Sequence, residues 1–340
     1  MLMDKVKVAL IGVGGISQVV RIPILKKMEN IELVALCDID ESKASFIANK
    51  YGIKNVYDDI EYMLWHEKLD GLFICTPNNL HYPMALAAIQ HGVPALIEKP
   101  VALNAQQAKK IAKQSADAKV PMVVAMNNRF RKDAMTLKNF LEQDELGKPF
   151  YIKTGWLKKW NRNPYQGWQS DIRISGGGVI MDLGIQLIDL VLWLLGKPTI
   201  KSIHSYFNTS SSSRQAEESA LVIMETMNQV VITVELAWHF HMDKDVIYTN
   251  VFGPKGSALM NPLRLYKDLH GNLVNVTPVY DEANVDLYMA AFEKEIRNFI
   301  EVIQGQATPM TPIEDGVYLM EVIDLLYQSA RQGKTVEFKT

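Results

Sequence analysis

Five short apolar runs punctuate the N-terminal part of the chain, at positions 6–11, 33–37, 71–75, 95–97 and 122–125. Each is nearly continuous rather than alternating. That pattern predicts strands of a parallel sheet covered on both faces. Helical signals lie between the runs. Positions 82–91 end at Gly92, a residue suited to the left-handed turn that closes a helix. Asn104, with Gln107 three residues on, reads as a capping box that opens another helix. Strand–helix alternation of this kind predicts a doubly wound α/β domain.

The pattern changes beyond Phe130. After the turn Gly147-Lys148-Pro149, positions 150–157 read as a strand, and Gly176-Gly177-Gly178 leads into a helix over 179–195. Further strands are expected at 200–206, 220–225, 230–237 and 246–252, with a Ser/Thr-rich hairpin loop at 208–214. Two helices close the chain, at 286–304 and 313–331; in the first, Phe292, Ile296, Phe299 and Ile303 recur at helical spacing. This half predicts an α+β domain with an open, largely antiparallel sheet. The expected division is 1–125 and 126–340, with the closing helices as candidates for packing back onto the first domain. Internal repeats and low-complexity tracts are absent.

Length and composition agree with this division. A chain of 340 residues suits about two domains, and 48% apolar with 22% charged residues is globular usage. A net charge of -2 argues against nucleic acid or an anionic membrane as partner. The longest apolar stretch, 179–195, carries Asp182 and Asp189 and falls short of the roughly 18 uninterrupted residues of a membrane helix. The N-terminus lacks a signal-peptide layout. Two cysteines, Cys37 and Cys75, fit neither a disulfide framework nor a metal cluster, so a reducing cytoplasm and no metal are expected.

The chemistry begins directly after the first strand. Gly12-Val13-Gly14-Gly15-Ile16-Ser17 is a Gly-x-Gly-x-x-Ser form of the dinucleotide fingerprint. Gly12 permits the tight turn, Gly14 lets the backbone approach a pyrophosphate, and Ser17 is small enough for close helix–strand packing. The helix that follows offers free N–H groups and its positive dipole end to phosphates. Asp38 stands 26 positions beyond Gly12, at the end of the second run. A carboxylate there accepts hydrogen bonds from ribose hydroxyls and repels a 2′-phosphate. No Arg follows it, which favours NAD over NADP.

Four ordered motifs make the chain resemble the glucose–fructose oxidoreductase / inositol dehydrogenase (Gfo/Idh/MocA) family over nearly its whole length. They are the glycine loop, Thr76-Pro77-Asn78-Asn79-Leu80-His81, Glu98-Lys99-Pro100, and Gly176-Gly177-Gly178 leading into Asp182. The resemblance implies a Rossmann domain joined to an open-sheet domain, and a homo-oligomer, dimer or tetramer. It implies NAD(P)-linked oxidation or reduction of sugars, polyols and related small molecules. It also implies a cofactor site formed by Gly12, Val13, Gly14, Gly15, Ile16, Asp38, Thr76, Pro77, Asn78, His81, Glu98 and Lys99. The lysine matching Lys99 reaches the reacting oxygen, where a cation stabilises alkoxide charge and can relay a proton.

One position departs from the family pattern. The usual helix reads Asp-x-x-x-His, but here Asp182 is followed four residues on by Gln186. An amide hydrogen-bonds a substrate oxygen but exchanges no proton near neutral pH. Lys99 is then the first candidate for the acid/base role, with His239 or His241 as substitutes. Lys99, Asp182, Gln186 and Trp168 are the expected substrate contacts. Trp168 closes the stretch 156–168, where Lys158, Lys159, Trp160, Arg162 and Tyr165 interleave charge with aromatic rings in an expected loop. Such a stretch suits an anionic or sugar-like substrate as well as a plain packing loop. Two functions therefore stand side by side: a dehydrogenase, and a sensor or regulator that kept the cofactor fold and lost turnover.

Overall fold

The computed structural model describes residues 5–160, 167–209, 216–279 and 286–338. They form two compact units. Unit 1 comprises Met1–Phe130 and Tyr288–Met320, and unit 2 comprises Arg131–Leu287 and Glu321–Thr340.

Unit 1 is built on a six-stranded sheet of β1 (Val6–Ile11), β2 (Ile31–Cys37), β3 (Asn55–Tyr57), β4 (Gly71–Ile74), β5 (Ala95–Ile97) and β6 (Met122–Val124). The order is β3-β2-β1-β4-β5-β6 and every pairing is parallel. This is the doubly wound order of dinucleotide-binding folds, with its switch point between β1 and β4. The helices are α1 (Ile22–Lys27), α2 (Glu41–Tyr51), α3 (Ile60–His66), α4 (Asn78–Gln90) and α5 (Ala105–Ala118). A π turn over Ser17–Arg21 leads into α1. β3 carries no apolar run because its three residues are all half-buried at the sheet edge. α4 opens four residues before the expected start. At α5, Asn104 accepts from the Gln107 amide, while the Gln107 side chain turns back to the Leu103 N–H rather than to Asn104.

Unit 2 holds α6 (Lys132–Glu142), β7 (Tyr151–Lys159), the short α7 (Ile172–Ser175), and a π turn over Ile180–Gly184 that continues as α8 (Ile185–Leu194). Then come β8 (Ile200–Asn208), β9 (Ser219–Thr226), β10 (Val231–Phe240), β11 (Val246–Gly253), β12 (Gly256–Met260), β13 (Arg264–Leu269), β14 (Asn272–Asn275) and, last in the chain, β15 (Val336–Glu337). The nine strands run β14-β13-β12-β11-β7-β10-β9-β8-β15, antiparallel except for β7 with β10. In β9, Ala220, Val222 and Met224 are buried while Leu221 and Ile223 between them are exposed, so one sheet face is covered and the other open. The long apolar helical run Ile172–Leu194 is mostly buried inside this unit. Of the expected hairpin loop, positions 210–214 lie outside the described residues.

Two helices near the C-terminus complete the molecule, α9 (Leu287–Ile303) and α10 (Ile313–Gln332). The predicted periodicity of α9 is met inside unit 1. Phe292, Ile296, Phe299 and Ile300 join one core with Val8, Leu10, Leu36, Phe73 and Leu96. Phe299 meets Phe73 edge-on at 5.4 Å between ring centroids. Gly71 leaves this helix room, since a Cβ there would stand 2.5 Å from Ile303 Cδ1.

Candidate active site

In unit 1 the chemistry gathers at the C-terminal ends of the strands, where open α/β sheets bind their ligands. Gly12 turns the chain at φ +89°, and a Cβ there would lie 2.6 Å from the Cys75 carbonyl oxygen. Only glycine fits both the dihedral and the space. Ser17, fully buried, donates from Oγ to the Gly12 carbonyl at 2.5 Å and so ties the helix to the turn. Gly14 and Gly15 are exposed, with nothing within 4 Å of where a Cβ would stand. The loop thus leaves open backbone at a helix N-terminus, which fits a dinucleotide pyrophosphate.

Asp38 braces this loop. Its Oδ2 accepts from the Val13 N–H at 2.6 Å, and its Oδ1 accepts from the Asp40 N–H at 3.0 Å. Lys43 Nζ also lies 3.0 Å from Oδ1. Sequence reasoning looked for an Arg after Asp38 and passed over this lysine, which reaches back from the first turn of α2.

Beyond β4 and β5 two loops are joined by one side chain. His81 on α4 is fully buried, with Nδ1 2.6 Å from the Pro100 carbonyl and Nε2 2.9 Å from the Thr76 carbonyl. Burial lowers its pKa, while both carbonyls favour the protonated ring. The Thr76 hydroxyl is buried without a hydrogen-bond partner, a vacant polar group at the strand ends that suits a bound cofactor. Asn78 opens α4 behind Pro77. The Lys99–Pro100 peptide is cis. Glu98 accepts two hydrogen bonds from Arg21, at 2.9 and 2.6 Å.

In unit 2, Asp182 lies in the π turn and Gln186 in the first turn of α8. Asp182 Oδ2 accepts from the Trp238 indole at 2.9 Å. Gln186 donates from Nε2 to the Asp182 carbonyl at 3.1 Å, a bond within its own helix. The helix start is capped by Glu217, which the sequence reading missed. Its Oε1 accepts from the Gly178 and Ile180 amides at 2.9 and 3.1 Å and from the Tyr327 hydroxyl at 2.7 Å. This explains the glycine triplet: a Cβ on Gly177 would strike the Tyr327 hydroxyl, and one on Gly178 the Glu217 carbonyl. Burial raises the Glu217 carboxyl, against its three donors.

The remaining candidates fall elsewhere. Lys158 and Lys159 are the last residues of β7, so the beginning of the expected aromatic–basic loop, 156–159, is strand. Pairing with β11 reaches Leu157 and pairing with β10 reaches Lys159. Trp160 stacks on His241 at 6.1 Å, and His239 lies 3.6 Å from Glu218. Trp168 opens a short 3-10 turn and is half-buried. Arg162 and Tyr165 lie outside the described residues. Among the described residues no group of acidic, His and Cys side chains is arranged to hold a metal.

Comparison with known proteins adds to this geometry. Residues 6–126 match the model of an oxidoreductase family with an NAD-binding Rossmann fold, and residues 138–338 match that family's C-terminal alpha/beta domain. The chain belongs to the Gfo/Idh/MocA oxidoreductases. These are NAD(P)-dependent sugar and polyol dehydrogenases. The chain is 28% identical to D-glucoside 3-dehydrogenase of Escherichia coli (strain K12), covering 97% of each chain. It is 25% identical to D-xylose 1-dehydrogenase (NADP(+)) 2 of Haloferax volcanii, over 96% of this chain and 98% of that one. The fold matches a levoglucosan dehydrogenase in complex with NADH at TM-score 0.87 and 18% identity, covering 99% and 100% of the two chains.

Proposed function

We propose that this protein transfers hydride between NAD(H) and a sugar, polyol or related hydroxy or keto compound. One observation carries the reading: the open glycine loop, Asp38 and Lys99 all stand at C-terminal strand ends of one parallel sheet. Gly12, Val13, Gly14, Gly15 and Ile16 hold the pyrophosphate, Asp38 the ribose, and the loops bearing Thr76, Pro77, Asn78, His81, Glu98 and Lys99 the nicotinamide half. NAD, when bound, supplies the hydride acceptor, and NADH the donor. Lys99 meets the reacting oxygen: in oxidation its neutral amine takes the proton that the hydroxyl loses, and the ammonium so formed stabilises the alkoxide charge. In reduction the ammonium returns that proton to the carbonyl oxygen. Asp182 and Gln186 orient substrate hydroxyls, and the Trp168 ring offers an apolar face to a sugar. The relatives named for sugar and glucoside oxidation support this substrate class. The unpaired, buried Cys37 and Cys75 suit a reducing cytoplasm.

The test is a panel of aldoses, glucosides and inositols with NAD or NADH, followed by nicotinamide absorbance. Substrate-dependent formation or loss of NADH is expected. A second reading, a sensor without turnover, draws on the engagement of Gln186 with its own helix in place of an acid/base histidine. Saturable sugar binding with no change in NADH across the panel would decide for the sensor.

A further inference from the structure

Behind Glu98-Lys99-Pro100, charged side chains lie in a row that is buried apart from a small exposed part of Glu98. Arg21 is fully buried at the end of the π turn that precedes α1. Its Nε and Nη2 both donate to Glu98 Oε1, and its Nη1 donates to Glu295 Oε2 at 2.6 Å. Glu295, from α9, is buried too, and its Oε1 has no hydrogen-bond partner. The Phe292 ring lies 4.9 Å from the Arg21 guanidinium carbon. Two carboxyl groups thus share one guanidinium, that of Glu295 fully out of water and that of Glu98 at 12% exposure.

Stability alone is a poor reason for such a cluster. Buried charges lose their hydration, and an apolar trio of the same volume serves a core as well or better. The cluster does fix Glu98, the residue before Lys99. The residue after Lys99 is fixed as well, because the Pro100 carbonyl is held by His81. The flanks of Lys99 are thus bonded to Arg21, from the segment after β1 and itself held by Glu295 of α9, and to His81 of α4.

We propose that Arg21, Glu98, Glu295 and His81 are positioning residues that clamp the backbone at Lys99 and set where its ammonium stands. The proposal rests on the catalytic reading of Lys99, but its test does not. Glu98→Gln and Glu295→Gln keep shape and an acceptor oxygen while removing one charge each. The probe is acetic anhydride, and the readout is the acetylation rate of each lysine by mass spectrometry in the full chain. Lys99 should change rate by about 3-fold or more in both variants, since small displacements of a positioned group have large effects on its reactions. Lys158 and Lys159, in unit 2, should keep their wild-type rates, and NADH affinity of Glu295→Gln, which lies outside the proposed cofactor site, should stay within about 2-fold by fluorescence.

An unchanged Lys99 rate in variants that melt cooperatively overturns the clamp. Glu295→Gln leaves the Arg21–Glu98 contact in place, so it decides the matter alone if Glu98→Gln does not fold. Retained turnover in Lys99→Ala would instead remove the catalytic reading, whatever the labelling shows.

Discussion

Lys99 is the residue on which the proposed chemistry turns, and Lys99→Ala is its direct test. Turnover should fall about 10²-fold or more, while NADH affinity, which is shared among the glycine loop, Asp38 and the loops after β4 and β5, should fall far less. Steady-state kinetics and fluorescence titration measure the two separately. On the proposed reading Asp38 sets cofactor choice, and Lys43, 3.0 Å from its Oδ1, offsets part of its charge. NADH should still bind more tightly than NADPH, Asp38→Ala should narrow the gap, and Lys43→Ala should widen it. Equal affinities in the unmodified protein would contradict this assignment. Glu295 carries a third expectation. Burial, with Glu98 nearby, lifts its carboxyl from 4.5 to about 7 against the pull of Arg21. Between those values the folded protein holds a proton that the unfolded chain releases. Stability therefore falls as pH rises through this interval, by up to about 1.4 kcal/mol per pH unit. Unfolding curves of wild type and Glu295→Gln should diverge over that range, and parallel pH dependences would refute the shift. The glycine loop and Lys99 were legible because each belongs to a local motif. Lys43, Arg21 and Glu295 were not: a buried charge and a solvated one are written with the same letter, and only distant partners tell them apart.

At the scale of elements, the helix over Ile180–Leu194 shows what local pattern carries and what it leaves out. Its apolar run announced a buried helix, and the structure has it. The π turn at its start was invisible, because the run reads the same for either winding. Its cap was invisible too: Glu217 and Glu218 are adjacent acids in a loop, yet Glu217 is buried and Glu218 is not. Removing the cap should matter. Glu217→Ala leaves the Gly178 and Ile180 amides and the Tyr327 hydroxyl without their acceptor, which should cost about 3 kcal/mol. Glu217→Gln, which retains an oxygen, should cost less. Hydrogen exchange of the amides over 178–182 would locate the loss, and unchanged protection there would mean the cap is dispensable. The missed strands have a similar cause. β3 is a half-buried edge, and β12 to β14 are short and mix apolar with polar residues, so neither continuous runs nor clean alternation marks them.

For the whole molecule, the open face of the nine-stranded sheet bears Tyr206, Leu221, Ile223 and Val231, all exposed. We expect this face to pair with a second copy of the chain, giving a dimer or larger homo-oligomer. Ile223→Glu should shift the sedimentation coefficient toward that of a monomer, and a wild-type protein that already sediments as a monomer would refute the expectation. The expected division is 1–125 and 126–340, with the closing helices as candidates for packing back onto the first domain; the compact units interleave along the chain, with Tyr288–Met320 in the first. The spacing of Phe292, Ile296 and Phe299 foretold a one-sided helix but could not say which core would receive it. That return has a consequence for biosynthesis. The ribosome delivers Phe299, the partner of Phe73, only after the strands β7 to β14 have been made. At about 5–20 residues per second, the nascent first unit waits on the order of ten seconds with an unfilled apolar face. During that interval its exposed apolar surface makes it a natural client for chaperones.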